Sequence, residues 1–132
     1  MIYKIDLPTP ANTLKAKPKV YRVRVYPGVT KRIWIGFPRG CYGLCHVQVW
    51  HWGWQVWPWS PDDSFHWDDY MFTFEDRYRL TAEPLEFVVR TWNLDDSYAH
   101  TPTFAVTVIP DMAIGGVADL DQVLSDLGLL VG

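Results

Sequence analysis

The feature that most restricts the fold of this chain is an alternation of period two, repeated in run after run and broken each time by proline or glycine. In "KVYRVRVY" (19–26), Tyr21, Val23 and Val25 share one parity and Arg22 and Arg24 the other. In "TKRIWIGF" (30–37), Ile33, Ile35 and Phe37 alternate with Arg32 and Trp34. "LCHVQVWH" (44–51) sets Cys45, Val47, Val49 and His51 against Leu44, His46, Gln48 and Trp50. Successive side chains of a strand point to opposite sides, so each run offers one face to a core and one to solvent. Pro27-Gly28 and Pro38-Arg39-Gly40 turn the chain between them. Gly53 is the expected turn of a hairpin that returns as "WQVWPW" (54–59), with Pro58 placing the end of that strand at an edge. "YMFTFE" (70–75), "RYRL" (77–80), "LEFVVRTW" (85–92) and "TFAVTVI" (103–109) resume extended structure. Seven or eight short strands at this spacing predict an all-β fold, an antiparallel β-sandwich of jelly-roll or immunoglobulin-like type.

The ends read differently. Residues 1–18 read as an N-terminal arm. Tyr3, Ile5 and Leu7 alternate with Lys4 and Asp6 as an edge strand would, and Pro8, Pro10 and Pro18 make an extended connector. Residues 19–110 hold the sandwich. After Pro110 the sequence predicts a hinge and a short amphipathic helix over 111–132. Val117, Leu120, Val123, Leu124 and Leu127 recur at helical spacing, opposite Asp119, Asp121 and Asp126, and Gly128 stands where a helix ends. At 132 residues the chain is long enough for one domain with its own core. No segment has the apolar length of a signal peptide or a membrane span, and Cys41 and Cys45 make no disulfide framework. Synthesis in a cytoplasm is expected, with no membrane partner.

The net charge of −3 conceals a split. Residues 1–61 carry nine of the twelve Lys and Arg but only one acid, Asp6, while residues 62–132 hold the other fourteen acids. Two consequences are open: compensation within one folded domain, or basic and acidic faces that meet between copies.

Little in the sequence points to catalysis. "CYGLCH" (41–46) resembles a haem-attachment signature with one residue too many between its cysteines. Zinc would need a second pair of ligands, and His46 and His51 fall on opposite faces of their strand. The simplest expectation is two buried thiols beside a turn. The loop "SPDDSFHWDD" (60–69) gathers Asp62, Asp63, Asp68, Asp69 and His66, but not at calcium-loop spacing. Its carboxylates are expected to cap backbone amides. In "WNLDDSYAH" (92–100), Asn93, Asp95 and Asp96 are expected to do the same, with Tyr98 packing its ring and His100 pairing with an aspartate. Serines lie in no nucleophile elbow and there is no phosphate-binding glycine loop. Neither an enzyme nor a cofactor is expected.

Five of the eight tryptophans crowd into "WHWGWQVWPW" (50–59): Trp50, Trp52, Trp54, Trp57 and Trp59. In a hairpin, half of these rings should point inward and half outward. Outward indoles can stack sugars, stack bases or enter a protein interface. The acidic loop that follows argues against nucleic acid, whose phosphates it would repel.

Four phrases carry a resemblance: "FPRGCYGL" (37–44), "HWGWQVWPWSPDD" (51–63), "TWNLDDSYAHT" (91–101) and "TFAVTVIP" (103–110). They resemble small, uncharacterised virion-associated proteins of tailed phages and related mobile elements, over residues 19–110 and not the tail. The resemblance implies a β-sandwich subunit located in the virion, such as a capsid-decorating, minor capsid or connector protein, with no catalytic residues. Its expected partners are other virion subunits and itself. The expected contacts are Tyr3, Ile5 and Leu7 of the arm, Trp50, Trp52, Trp54, Trp57 and Trp59 of the hairpin, and Val117, Leu120, Val123, Leu124 and Leu127 of the tail. The alternative is a carbohydrate-binding module that uses the outward tryptophans as a glycan platform.

Overall fold

The computed structural model describes residues 1–110, which form two packed antiparallel sheets. The strands are β1 (Ile2–Asp6), β2 (Lys19–Arg24), β3 (Gly28–Phe37), β4 (Cys45–His51), β5 (Trp54–Trp57), β6 (Tyr70–Glu75), β7 (Arg79–Leu80), β8 (Glu86–Asn93) and β9 (Thr103–Pro110). One sheet has the order β1-β9-β3-β6, with the short β7 also on β3, and the other has the order β2-β8-β4-β5. Among the described residues there is no helix.

The order has a simple generator. β1 pairs with β9, β2 with β8, β3 with β6 and β4 with β5, all antiparallel. These are nested pairs, the rungs of one long antiparallel ribbon whose tip is the Trp52-Gly53 turn. Rolling that ribbon brings β9 against β3 and β8 against β4, and both pairings are present. The tryptophan hairpin is therefore the centre of the chain's topology.

Parity decides the core. Ile33, Ile35, Phe104, Val106 and Val108 from one sheet meet Val47, Val49, Phe87 and Val89 from the other, all buried. Burying such a side chain contributes about 1.5–3 kcal/mol. The opposite parity of β2 leaves Arg22 and Arg24 in solvent. Gly28 at the start of β3 lies so close to β9 that a Cβ there would stand 2.1 Å from the Ile109 carbonyl oxygen. A side chain at this point would force the two strands apart.

The beginning of the chain departs from the expected arm. β1 pairs along its length with β9, Leu7 and Thr9 are buried, and Tyr3 and Ile5 pack against the core. Residues 1–9 are thus part of the sandwich, with Ile2–Asp6 held by β9 of their own chain, while residues 14–17 stay exposed. The expected helix, with Val117, Leu120, Val123, Leu124 and Leu127, lies outside the described residues. On the outer surface Arg22 pairs with Glu86 at 2.7 Å and Arg32 with Glu75 at 2.9 Å. Each pair joins the basic half of the sequence to the acidic half, so part of the charge split is compensated within the domain.

Candidate functional site

The β4–β5 hairpin sorts its tryptophans by register. A bulge between Val49 and Trp50 pairs Trp50 with Gln55 but Val49 with Trp57, leaving Val56 as the extra residue. Val56 and Trp57 are therefore both buried although they are consecutive. Trp57 packs against Phe74, Tyr78 and Phe87, and its Nε1 donates to Asp76 Oδ2 at 2.8 Å. Only this one of the five rings is wholly inside, against the expected half. It and Leu7 are enclosed by their own chain, which removes both from the expected contact set.

The other four rings have distinct surroundings. Trp50 lies half-buried on the outer face, with the Arg90 guanidinium 4.1 Å above its ring and its Nε1 donating to Gln48 Oε1 at 3.1 Å. Trp59 is exposed but tethered, its Nε1 donating to the same Asp76 oxygen at 3.1 Å. Trp52 and Trp54 form the tip, 71% and 69% exposed. They border a cleft of ≈ 290 Å³ together with Glu83 and Arg79. The positive φ of the turn falls on Trp52, at 62°, and not on Gly53. A bulky residue in this region costs on the order of 1–3 kcal/mol that glycine would not.

A second aromatic surface lies beside the hairpin, in the segment that links β5 to β6. Phe65 extends the ladder past the end of β5, exchanging two 2.9 Å hydrogen bonds with Val47. Its ring packs on Phe72 and Phe74. The Asp63 carbonyl accepts from both Gln48 Nε2 (2.7 Å) and Gln55 Nε2 (3.1 Å), and Asp63 Oδ1 caps the Ser64 amide at 2.8 Å. Asp68 Oδ1 accepts the Gly40 and Tyr42 amides at 2.8 and 2.9 Å. These bonds, that of Tyr42 foremost, hold the Asp68 carboxyl below its usual range. The segment is thus fixed by backbone-directed bonds from several elements, and it walls a cleft of ≈ 570 Å³. Trp67 and Tyr70 stand at its mouth, 57% and 51% exposed.

His46, on the outer face of β4, lies under this segment. Its ring stacks on Trp92 at 5.1 Å and lies against the His66 ring at 4.5 Å with a 31° tilt, and its Nδ1 shares a 2.8 Å hydrogen bond with Ser64 Oγ. Burial, helped by the neighbouring His66 and Lys15, pushes its pKa down to about 4, so the ring is neutral at pH 7. Cys41 and Cys45 are buried and free, as the turn reading expected. Burial raises them to about 11 and about 12, which leaves both thiols protonated and unreactive. Among the described residues no three His, Cys, Asp or Glu side chains are placed to hold a metal ion.

The loop after β8 closes on itself. Asn93 Oδ1 accepts the Asp95 amide, Asp95 Oδ1 accepts the Ser97 and Tyr98 amides, and Asp95 Oδ2 meets His100 Nε2 at 2.8 Å. The expected caps by Asn93 and Asp95 and the histidine–aspartate pair are there, but the Asp96 carboxylate takes only the Ser97 hydroxyl, and Tyr98 is exposed. Asp63, His66, Trp67 and Tyr70 were outside the expected contact set. An apolar Phe65 in the middle of an acidic loop was the sequence signal that this segment docks on the core. Comparison with protein families, with curated proteins and with solved structures finds no match to this chain.

Proposed function

We propose that this protein is a structural subunit of a virus particle of the tailed-phage type, in a capsid-decorating, minor capsid or connector position, and that it acts by binding its neighbours. The observation that carries the reading is the strand order. Two four-strand paths, β1-β9-β3-β6 and β2-β8-β4-β5, made by rolling one ribbon, are the order of a jelly roll. That architecture serves viral capsid and lectin domains among others, and the inference from it is one of analogy. The resemblance of residues 19–110 to virion-associated proteins points the same way.

The hairpin tip is the contact we assign. Trp52 occupies an exposed turn position where glycine would fold better. A strained, solvent-facing indole is retained more readily if a neighbour covers it. Trp54 stands beside it, and aromatic anchors of this kind dominate interface energetics.

Trp52→Gly separates folding from binding. Glycine suits the positive φ, so the variant should be as stable as the parent or about 1 kcal/mol more stable. Size-exclusion chromatography with light scattering on the full chain, over a range of concentrations, should show a discrete oligomer that Trp52→Gly and Trp54→Ala weaken. A parent chain that stays monomeric, and that antibodies do not detect on purified particles, would overturn the reading.

A further inference from the structure

We infer that the cleft between β5 and β6 is a binding site for a neutral saccharide. This goes beyond the virion reading and does not depend on it. The cleft is distinct from the hairpin tip and shares no lining residue with the tip cleft. Its walls supply both things that a sugar ring requires. One is an apolar surface for the C–H groups on one face of a pyranose. The other is a set of hydrogen-bonding groups for the hydroxyls at its edge.

The apolar surface is a corner. The Trp67 and Tyr70 rings are 6.5 Å apart at an interplanar angle of 64°, and Tyr70 meets Phe72 at 4.9 Å and 82°. A flat base would need parallel rings to be sandwiched. A puckered ring can lay one face on an indole and its edge against the second wall. The polar groups are Asp63, Ser64 and His66, all lining the cleft. Asp63 is held in place by three hydrogen bonds to its carbonyl and Oδ1, while Oδ2 takes none among the described residues. The Tyr70 hydroxyl likewise has no partner there, and the His66 ring lies against His46 with its nitrogens unbonded among the described residues. These are acceptors and donors already ordered and not yet used, which lowers the cost of binding a hydroxylated ligand.

Charge narrows the class further. Asp62, Asp63, Asp68 and Asp69 crowd this segment and outnumber the two cations that approach it, Lys15 at the Asp62 carbonyl and Arg39 near Asp68. Phosphorylated or acidic sugars would be repelled, and neutral hexoses and N-acetylhexosamines would not. A volume of ≈ 570 Å³ is of the size that accepts one or two sugar residues.

The test is a titration of the full chain, followed by tryptophan fluorescence and by calorimetry. The probes are glucose, galactose, N-acetylglucosamine, cellobiose and chitobiose, with glucose 6-phosphate and choline as charged controls. At least one neutral sugar should bind. Trp67→Ala should weaken it by about a hundredfold and Asp63→Asn by about tenfold, the size of a lost stacking surface and of a lost charged hydrogen bond. Tyr98→Ala, at an exposed ring that lines neither cleft, should leave the affinity unchanged, and circular dichroism should show all variants folded, since Trp67 is largely exposed. Binding of none of the neutral sugars overturns the proposal. So does preference for choline, which would make the corner an aromatic cage for a cation, or binding that survives Trp67→Ala. Because the cleft shares no lining residue with the hairpin tip, binding there does not require assembly, and a failure here would leave the subunit reading standing.

Discussion

Two loops of this protein are written in nearly the same letters and behave in opposite ways. Residues 62–66 read Asp-Asp-Ser-Phe-His, and residues 95–100 read Asp-Asp-Ser-Tyr-Ala-His. In the second loop the polar groups satisfy one another. Asp95 takes two amides and the His100 ring, and Ser97 Oγ donates to Asp96 Oδ1. In the first loop the aromatic residue, Phe65, enters the core and joins β4. That anchoring turns the neighbouring polar groups outward, and Asp63 Oδ2 is left without a partner among the described residues. The difference is one of parity. In the first loop Phe65 pairs with Val47 and points in, whereas one residue more in the second loop puts His100 in the ladder, bridged to Thr9, and Tyr98 in solvent. Similar composition thus yields a self-locked brace in one place and an open cleft in the other.

The strongest way to break the comparison is to cut the lock. Asn93 is fully buried and bonds the Tyr98 carbonyl at 2.9 Å, the Asp95 amide at 3.0 Å and, more weakly, the Thr9 carbonyl at 3.4 Å. Asn93→Ala would strand these groups and should destabilise the domain by about 2–4 kcal/mol, measured as a fall in the urea midpoint. Asp63→Ala removes only a loop cap and should cost about 1 kcal/mol or less. Equal losses would mean that both loops are structural braces.

Acid should separate the loops by order. His46 is depressed to about 4 in the folded protein, mainly by burial. Between its unfolded value of about 6.5 and 4 the unfolded chain therefore binds a proton that the folded chain refuses. The stability linked to His46 is complete above about pH 6.5 and is lost as pH falls towards 4. Asp95 is lowered by the Ser97 amide first and His100 next. Its contribution is present above the ordinary carboxyl value of 3.8 and is lost only as pH falls through its lower folded value. Amide exchange should thus accelerate around Ser64 and Phe65 before it does at Ser97 and Tyr98. His46→Gln should flatten the dependence of unfolding free energy on pH between 6.5 and 4. Simultaneous loss of protection in both loops would show that they open as one unit.

Much of this fold was legible because its information is local. Alternation placed Val23, Ile33, Ile35, Val47 and Val49 in the core, and Gly53 located the hairpin. The role of residues 1–18 was not legible, because an alternating Tyr3-Ile5-Leu7 reads the same whether its partner strand is its own β9 or a neighbour's. Nor was the burial of both Val56 and Trp57, since the bulge that permits it is set by pairing between strands. The candidate cleft stayed hidden for the same reason. Trp67 and Tyr70 come together only once Phe65 is docked, and the sequence offered one apolar residue in an acidic run as the sign.

The smallest effect gives the finest discrimination, because it compares one atom in each loop. Ser64 Oγ shares a 2.8 Å hydrogen bond with the half-buried His46, and Ser97 Oγ donates at 2.8 Å to the exposed Asp96. The first bond sits beneath the Trp92 and His66 rings, where water does not readily replace it, and the second is in solvent. Ser64→Ala should cost about 1 kcal/mol and Ser97→Ala less than about 0.5 kcal/mol. The Ser64 cost should also outlast the titration of His46, because a protonated Nδ1 donates where a neutral one can accept, and the hydroxyl can take either role. In the double variant the two costs should add, since the loops share no partner. Equal costs would mean that the hydroxyl under the cleft is as replaceable by water as the one in solvent. The rigid cleft floor, on which an ordered Asp63 depends, would then lose its support.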